Sequence, residues 1–226
     1  MDLSAGNRIG RAPRGPFAGS RRQQGRVFHH GPGGMNMLTG LSQPVDDAQQ
    51  TFRAVLAAMA EPLLPRALPT LPPALPGLKA ATAALLYTLA DQDVRVWLPP
   101  LPDDTVASLR FHTGMRLADL PEHADFIVIV AGMPLPNLIS LKAGSAEYPD
   151  RSATLLIEAD GFGADQVEGR GPGFAAPRRF GAAGLPQAFW REWQVNHARF
   201  PLGVDALLIS DTHIAGLPRS VRIREG

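Results

Sequence analysis

Several short stretches of this sequence combine residue types that can do chemistry. Phe111-His112-Thr113-Gly114 sets an imidazole beside a hydroxyl and a glycine, a grouping able to shuttle a proton or orient a phosphate. No second histidine stands at metal-ligand spacing from His112, and a loop histidine bonded to backbone accounts for the same residues. Gly169-Arg170-Gly171-Pro172-Gly173 can turn backbone N–H groups toward an anion, with Arg170 adding charge. It lacks the Lys-Ser/Thr ending of a phosphate loop, and Pro172 removes one donor, so a tight turn needing glycine dihedrals is the plainer expectation. Tyr148-Pro149-Asp150-Arg151-Ser152-Ala153-Thr154 places Arg151 and Ser152 just before an apolar run, where they could clamp a phosphate. Its structural alternative is a Pro-Asp turn with Asp150 and Arg151 paired at the surface. Asp205, in Phe200-Pro201-Leu202-Gly203-Val204-Asp205, is an active acid or a turn cap, and Arg219 follows in Leu217-Pro218-Arg219-Ser220. The candidate ligand or interface residues are therefore His112, Thr113, Arg151, Ser152, Gly171, Gly173, Asp205 and Arg219. None of them is assigned a catalytic role. The spacing of Phe189, Trp190 and Trp193 fits core or dimer contact better than a base-stacking platform, and His123, His197 and His213 stand alone.

Composition excludes whole classes of function. The chain has 226 residues and no cysteine, so disulfides, thiolate metal sites and thiol nucleophiles are ruled out together. No apolar run approaches the ~18 residues of a membrane span; the longest of consequence is Phe126 to Ala131. The net charge of +1 hides an asymmetry. Residues 1–36 hold six arginines against Asp2, whereas the remainder has sixteen basic residues against twenty acids. The folded part therefore does not read as a nucleic-acid or anionic-membrane binder, although an Arg-rich arm binding anions or RNA is an alternative for the leader. Residues 1–40 are expected to form a disordered Arg/Gly/Pro-rich leader, with Met35 and Met37 each a natural start.

The elements that must position these residues follow from periodicity. Phe52, Val55, Leu56 and Met59 share one helical face that opens near Asp46-Asp47 and stops before Pro62. Six prolines between 62 and 76 predict an extended arm that buries little within its own chain and is free to dock on another. Leu78, Leu85, Leu86 and Leu89 make a second helical stripe, and Val94, Val96 and Leu98 alternate as a strand. A short helix begins at Asp103 or Asp104, and residues 125–131 and 153–159 read as strands buried on both faces. Pro136 to Ala143 is predicted helical, and Gly161 to Gly184 a glycine-rich loop enclosing a short strand near Gln166–Glu168. A helix from Pro186 to Arg199 and strands at 204–209 and 221–223 complete the chain. The alternation predicts one domain over 41–226, a three-layer α/β/α sandwich on a mixed, mostly parallel sheet.

Taken in order, these motifs resemble one family. Thr51 to Ala60, Phe111 to Gly114, Ala124-Asp125-Phe126, Tyr148 to Thr154, Gly171 to Phe174, Phe200 to Asp205 and Leu217-Pro218-Arg219 resemble the PhnH subunit of the bacterial carbon–phosphorus lyase system. The likeness spans roughly residues 41–226 and departs at Glu61-Pro62-Leu63, where the family pattern has Arg-Pro-Gly. The resemblance implies a fold similar to pyridoxal-phosphate-dependent transferases without the cofactor, and a cytoplasmic homodimer. It further implies partnership with the other subunits of a complex that joins the ribose triphosphate of ATP to an alkylphosphonate and releases adenine. Within such a complex the subunit has no assigned catalytic residue and acts as a scaffold. An autonomous pyridoxal-phosphate-type transferase is the alternative, but Lys79 and Lys142 are the only lysines and neither follows a long buried strand.

Overall fold

The computed structural model describes residues 37–225, so the leader through residue 36 lies outside the described residues. The helices are α1 (Pro44–Ala60), α2 (Ala80–Leu89), α3 (Asp103–Thr113) and α4 (Gln187–Ala198). The strands are β1 (Arg66–Ala67), β2 (Arg95–Trp97), β3 (Arg116–Leu117), β4 (Phe126–Ile129), β5 (Thr154–Glu158), β6 (Gly161–Arg170), β7 (Arg178–Ala183), β8 (Asp205–Ile209), β9 (His213–Leu217) and β10 (Arg222–Glu225). Seven of them form one sheet in the order β1-β9-β8-β5-β4-β2-β3, parallel from β8 through β3 and antiparallel at β9 and β1.

Alternation along the central strands divides the core in two. Ile127, Ile129, Leu155, Ile157, Ala206 and Leu208 face α4, where Phe189, Trp190 and Trp193 are essentially inaccessible. Val128, Leu156, Leu207 and Ile209 face α1, α2 and α3. Burial of each large apolar side chain contributes about 1.5–3 kcal/mol, so both faces of the sheet are strongly committed. The Phe189–Trp190–Trp193 group is therefore core, and the indole N–H of Trp193 is satisfied by the Val221 carbonyl at 3.3 Å.

The expected mixed, mostly parallel sheet is present, but the third layer is not helical throughout. Beside α4 it holds a second sheet, β10-β6-β7, antiparallel. The predicted loop at 161–184 is thus a long hairpin: Gly171 and Gly173 sit at its bend and Gly163 in the bulge between Phe162 and Val167, while Val167, Phe180 and Ala182 are buried. Pro136 to Ala143 is helical only as a 3₁₀ turn at Leu138–Ser140. Beyond it the chain is drawn straight by pairing of Ala143 with Ser152, and by the 2.7 Å bond from Ala153 N–H to the Lys142 carbonyl. Strand β9 escaped the sequence reading, since its small residues carry no alternating signal.

The face that α1 buries is also different. Asp47, Thr51, Val55 and Ala58 turn inward, while Phe52 and Leu56 are about half exposed. The helix lies close to the sheet through small residues because Gly216 of β9 has no side chain there: a Cβ would stand 2.6 Å from the carbonyl carbon of Ala58 and 2.8 Å from the nitrogen of Met59. The proline-rich arm is extended as expected, yet it docks on its own chain. Arg66 and Ala67 pair with Ile214 and His213 as the edge strand β1, and Leu63, Leu68 and Leu75 are buried. Residues 37–40 also depart from the leader: Leu38 N–H donates to Ser108 Oγ at 2.8 Å, and its carbonyl meets His112 Nε2 at 2.9 Å.

Candidate functional site

The eight residues singled out by sequence fall into three separate places. Ser152, Asp205 and Arg219 converge at the edge where the parallel strands begin. His112 and Thr113 lie at the C-terminal end of α3 on one face. Gly171 and Gly173 form the turn between β6 and β7 on the other. Arg151 joins none of these; its guanidinium lies 4.2 Å over the ring of Tyr148, instead of pairing with Asp150 as expected.

Arg219 is the most connected polar side chain of the set. Asp205 Oδ1 accepts from its backbone N–H at 2.7 Å and from Nε at 3.1 Å, and Oδ2 pairs with Nη2. Nη2 also donates to Ser152 Oγ, and Nη1 to the Pro149 carbonyl at 2.9 Å. The two ionic side chains are only 12% and 18% exposed. A planar fork with fixed donors suits such multiple contacts, and here it ties the entries of β5 and β8 to the end of β9. With its donors occupied from within the chain, Arg219 fastens three segments together.

His112 is on a helix, not in a loop. Gly114 ends α3 in the left-handed conformation, φ 73°, as a C-terminal glycine does. Thr113 Oγ1 donates to the Leu109 carbonyl at 2.8 Å, and the His112 ring packs against Gly40 and edge-on to Tyr87, with ring centroids 5.5 Å apart. The Tyr87 hydroxyl is buried without a hydrogen-bond partner, and burial raises its pKa above the ordinary 10.0. The neutral phenol is therefore the form the fold favours. Stability it carries is complete below pH 10.0 and declines as pH climbs from there through the raised folded value. Tyr87→Phe removes both the ionisation and the unsatisfied hydroxyl; it is expected to raise stability by about 1 kcal/mol at neutral pH and to flatten the alkaline decline. Chemical unfolding at pH 8 and at pH values above 10 checks both, and an unchanged alkaline slope would refute the assignment.

The glycine turn is structural as well. Gly171 and Gly173 have φ 138° and 82°, and a Cβ on Gly173 would stand 2.7 Å from Pro62 Cδ, so the turn packs directly on the exit of α1. Next to it, Leu63 occupies a left-handed backbone, φ 57°. Its side chain is 1% exposed and its N–H donates to the Gly216 carbonyl at 2.8 Å, which offsets the backbone strain. A Cβ at Gly169 would run into that leucine, so the two residues fit as a pair.

Both lysines are ion-paired, at opposite edges of the main sheet. Lys142 binds Asp125 where β4 begins, and Lys79 binds Asp211 beyond the end of β8. Beside Lys79, sequence reading missed Glu158. Its buried carboxylate, placed by the end of β5, accepts from Lys79 N–H at 2.8 Å and Thr82 Oγ1 at 2.6 Å, and so caps α2, which has no side-chain cap of its own. Among the described residues no group of three His, Asp or Glu side chains is arranged to hold a metal, and no helix is long and apolar enough to cross a membrane.

Two cavities among the described residues border these elements. One, of about 580 Å³, opens where β5 and β8 end and is lined by Leu63, Leu64, Phe162, Arg178, Phe180, Ser210 and His213. Open α/β sheets commonly hold ligands at this edge. The other, of about 420 Å³, lies on the small sheet between Arg170, His197, Arg222 and Arg224. The sequence signal for it was the pair of arginines flanking buried Ile223, which one face of a strand must present together.

Comparison with known proteins agrees with the motif order. The family model for the bacterial phosphonate metabolism protein PhnH matches residues 39–224. The alpha-D-ribose 1-methylphosphonate 5-triphosphate synthase subunit PhnH of Rhizobium meliloti (strain 1021) is 33% identical over 185 residues, covering 80% of this chain and 92% of the relative. HtxG of Stutzerimonas stutzeri, named as a C-P lyase subunit protein, is 28% identical over 180 residues, or 77% and 85% of the two chains. From the matched span and this identity, the chain belongs to the PhnH family of bacterial phosphonate metabolism proteins.

Proposed function

We propose that this chain is a subunit of the complex that transfers the ribose triphosphate moiety of ATP to an alkylphosphonate with release of adenine, and that it serves there as a scaffold. The observation that carries the reading is family membership across residues 39–224, with relatives named as subunits of such a synthase and of C-P lyase. The interior polar chemistry supports the scaffold role: Arg219, Asp205 and Ser152 are engaged with one another, and both lysines are paired. In this reading the subunit acts in the cytoplasm and forms a homodimer. Reconstitution tests this directly. The full chain is expected to co-purify with the partner subunits, to release no adenine alone, and to bring adenine release to background when it is omitted from the mixture. Adenine release by the chain alone, or undiminished release without it, would overturn the proposal.

A further inference from the structure

The exposed face of the small sheet carries an unusual charge arrangement. In the antiparallel register of β10 and β6, Arg222 stands directly opposite Arg170, and Arg224 opposite Glu168. Like charges directly opposed across a ladder are destabilising unless something lies between them. Glu168, which also stands opposite Arg179 of β7, meets Arg170 Nε at 2.9 Å. The other nearby carboxylate, Glu225, is taken by Arg191 of α4 at 3.0 Å. Arg222 Nε meets His197 Nε2 at 3.3 Å instead of a carboxylate, and the other ring nitrogen of His197 meets the Arg219 carbonyl at 2.9 Å. The guanidinium groups of Arg170, Arg222 and Arg224 thus line the 420 Å³ cleft, walled by Pro172 and by Phe200, which is 58% exposed.

We propose that this cleft binds a small molecule bearing several phosphate charges, with Arg222 and Arg224 as its principal contacts. Forked guanidinium donors match phosphate oxygens, and a bound polyanion relieves the opposition of Arg170 and Arg222. The site is local. Residues 37–226 carry sixteen basic groups against twenty acids, so the surrounding surface does not attract long polyanions such as nucleic acid or an anionic membrane. The concavity, about the size that holds a drug-sized ligand, favours a compact one. The inference does not depend on the assembly proposed above, because it concerns the isolated chain.

Titration calorimetry of the full chain with inorganic triphosphate tests it. Saturable one-site binding that weakens steeply with added salt is expected. In the Arg222→Gln/Arg224→Gln variant, affinity should fall about tenfold or more, with the unfolding midpoint unchanged or raised by removal of the charge opposition. Absence of binding overturns the proposal. So does undiminished binding by the double variant, which would assign the anion to the arginines of residues 1–36. A poly-anionic RNA that competes with triphosphate in the parent chain but equally well in the double variant would count against the cleft in the same way.

Discussion

Replacing Arg219 with alanine is expected to cost about 3 kcal/mol, the lower end of the range for breaking a mostly buried ion pair. The loss comes from what stays behind more than from what is removed. Asp205, 18% exposed, keeps its charge without the cation that neutralises it, and the Pro149 carbonyl and Ser152 hydroxyl lose a donor. Arg219→Lys should restore only part of the loss, since one ammonium cannot meet Asp205 in two places and also reach Ser152 and Pro149. Asp205→Asn should then be much less harmful in the Arg219→Ala background than alone, giving a coupling energy in a double-mutant cycle. Urea unfolding of the four proteins measures it. A single-variant loss within about 0.5 kcal/mol would mean that the cluster behaves as an ordinary exposed pair.

Gly216→Ala should be as damaging for a different reason. The added methyl would meet backbone, the Ala58 carbonyl carbon at 2.6 Å and the Met59 nitrogen at 2.8 Å, and helix backbone cannot turn aside as a flexible side chain can. Either α1 lifts from β9 or the strand shifts against β8. Overpacking of this kind costs up to about 3 kcal/mol, which for a chain of this size lowers the melting temperature by roughly 6–12 °C. Gly161→Ala is the matched control, because a Cβ at that position meets nothing within 4 Å. Equal melting temperatures for the two variants would show that α1 does not sit where the close approach puts it.

These two residues also mark how far the sequence could be read. Long apolar or alternating segments declared themselves: β4, β5, β8 and α4 lie where their patterns put them, because burial on one or both faces leaves a period in the chain. The inward face of α1 did not, since the approach is set by a glycine far away in sequence, and small residues then replace large ones at the contact. The hairpin of β6 and β7 was obscured by glycines that serve its bulge and turn. For the site residues, type and order signalled Ser152, Asp205 and Arg219, but nothing local revealed that they meet. Arg222 was legible only as part of a strand, Arg224 lay beyond its expected end, and Glu158 was legible only as the end of another. Their meaning depends on which strand lies opposite and which helix begins overhead, and that is fixed by topology rather than by neighbours in the chain.

The first helix and the proline-rich arm rest on β9, while β4 pairs with β5 and the start of α2 is held by Glu158. The stretch 145–148, between Lys142 and Ser152, is exposed. A protease cut there would separate the covalent chain into two pieces whose contacts interlock on both sides of the main sheet. Neither piece has a core of its own, so the nicked protein should travel as one particle and come apart only on denaturation. That makes this stretch the natural junction for fragment complementation, in which two halves expressed separately find each other and rebuild the whole.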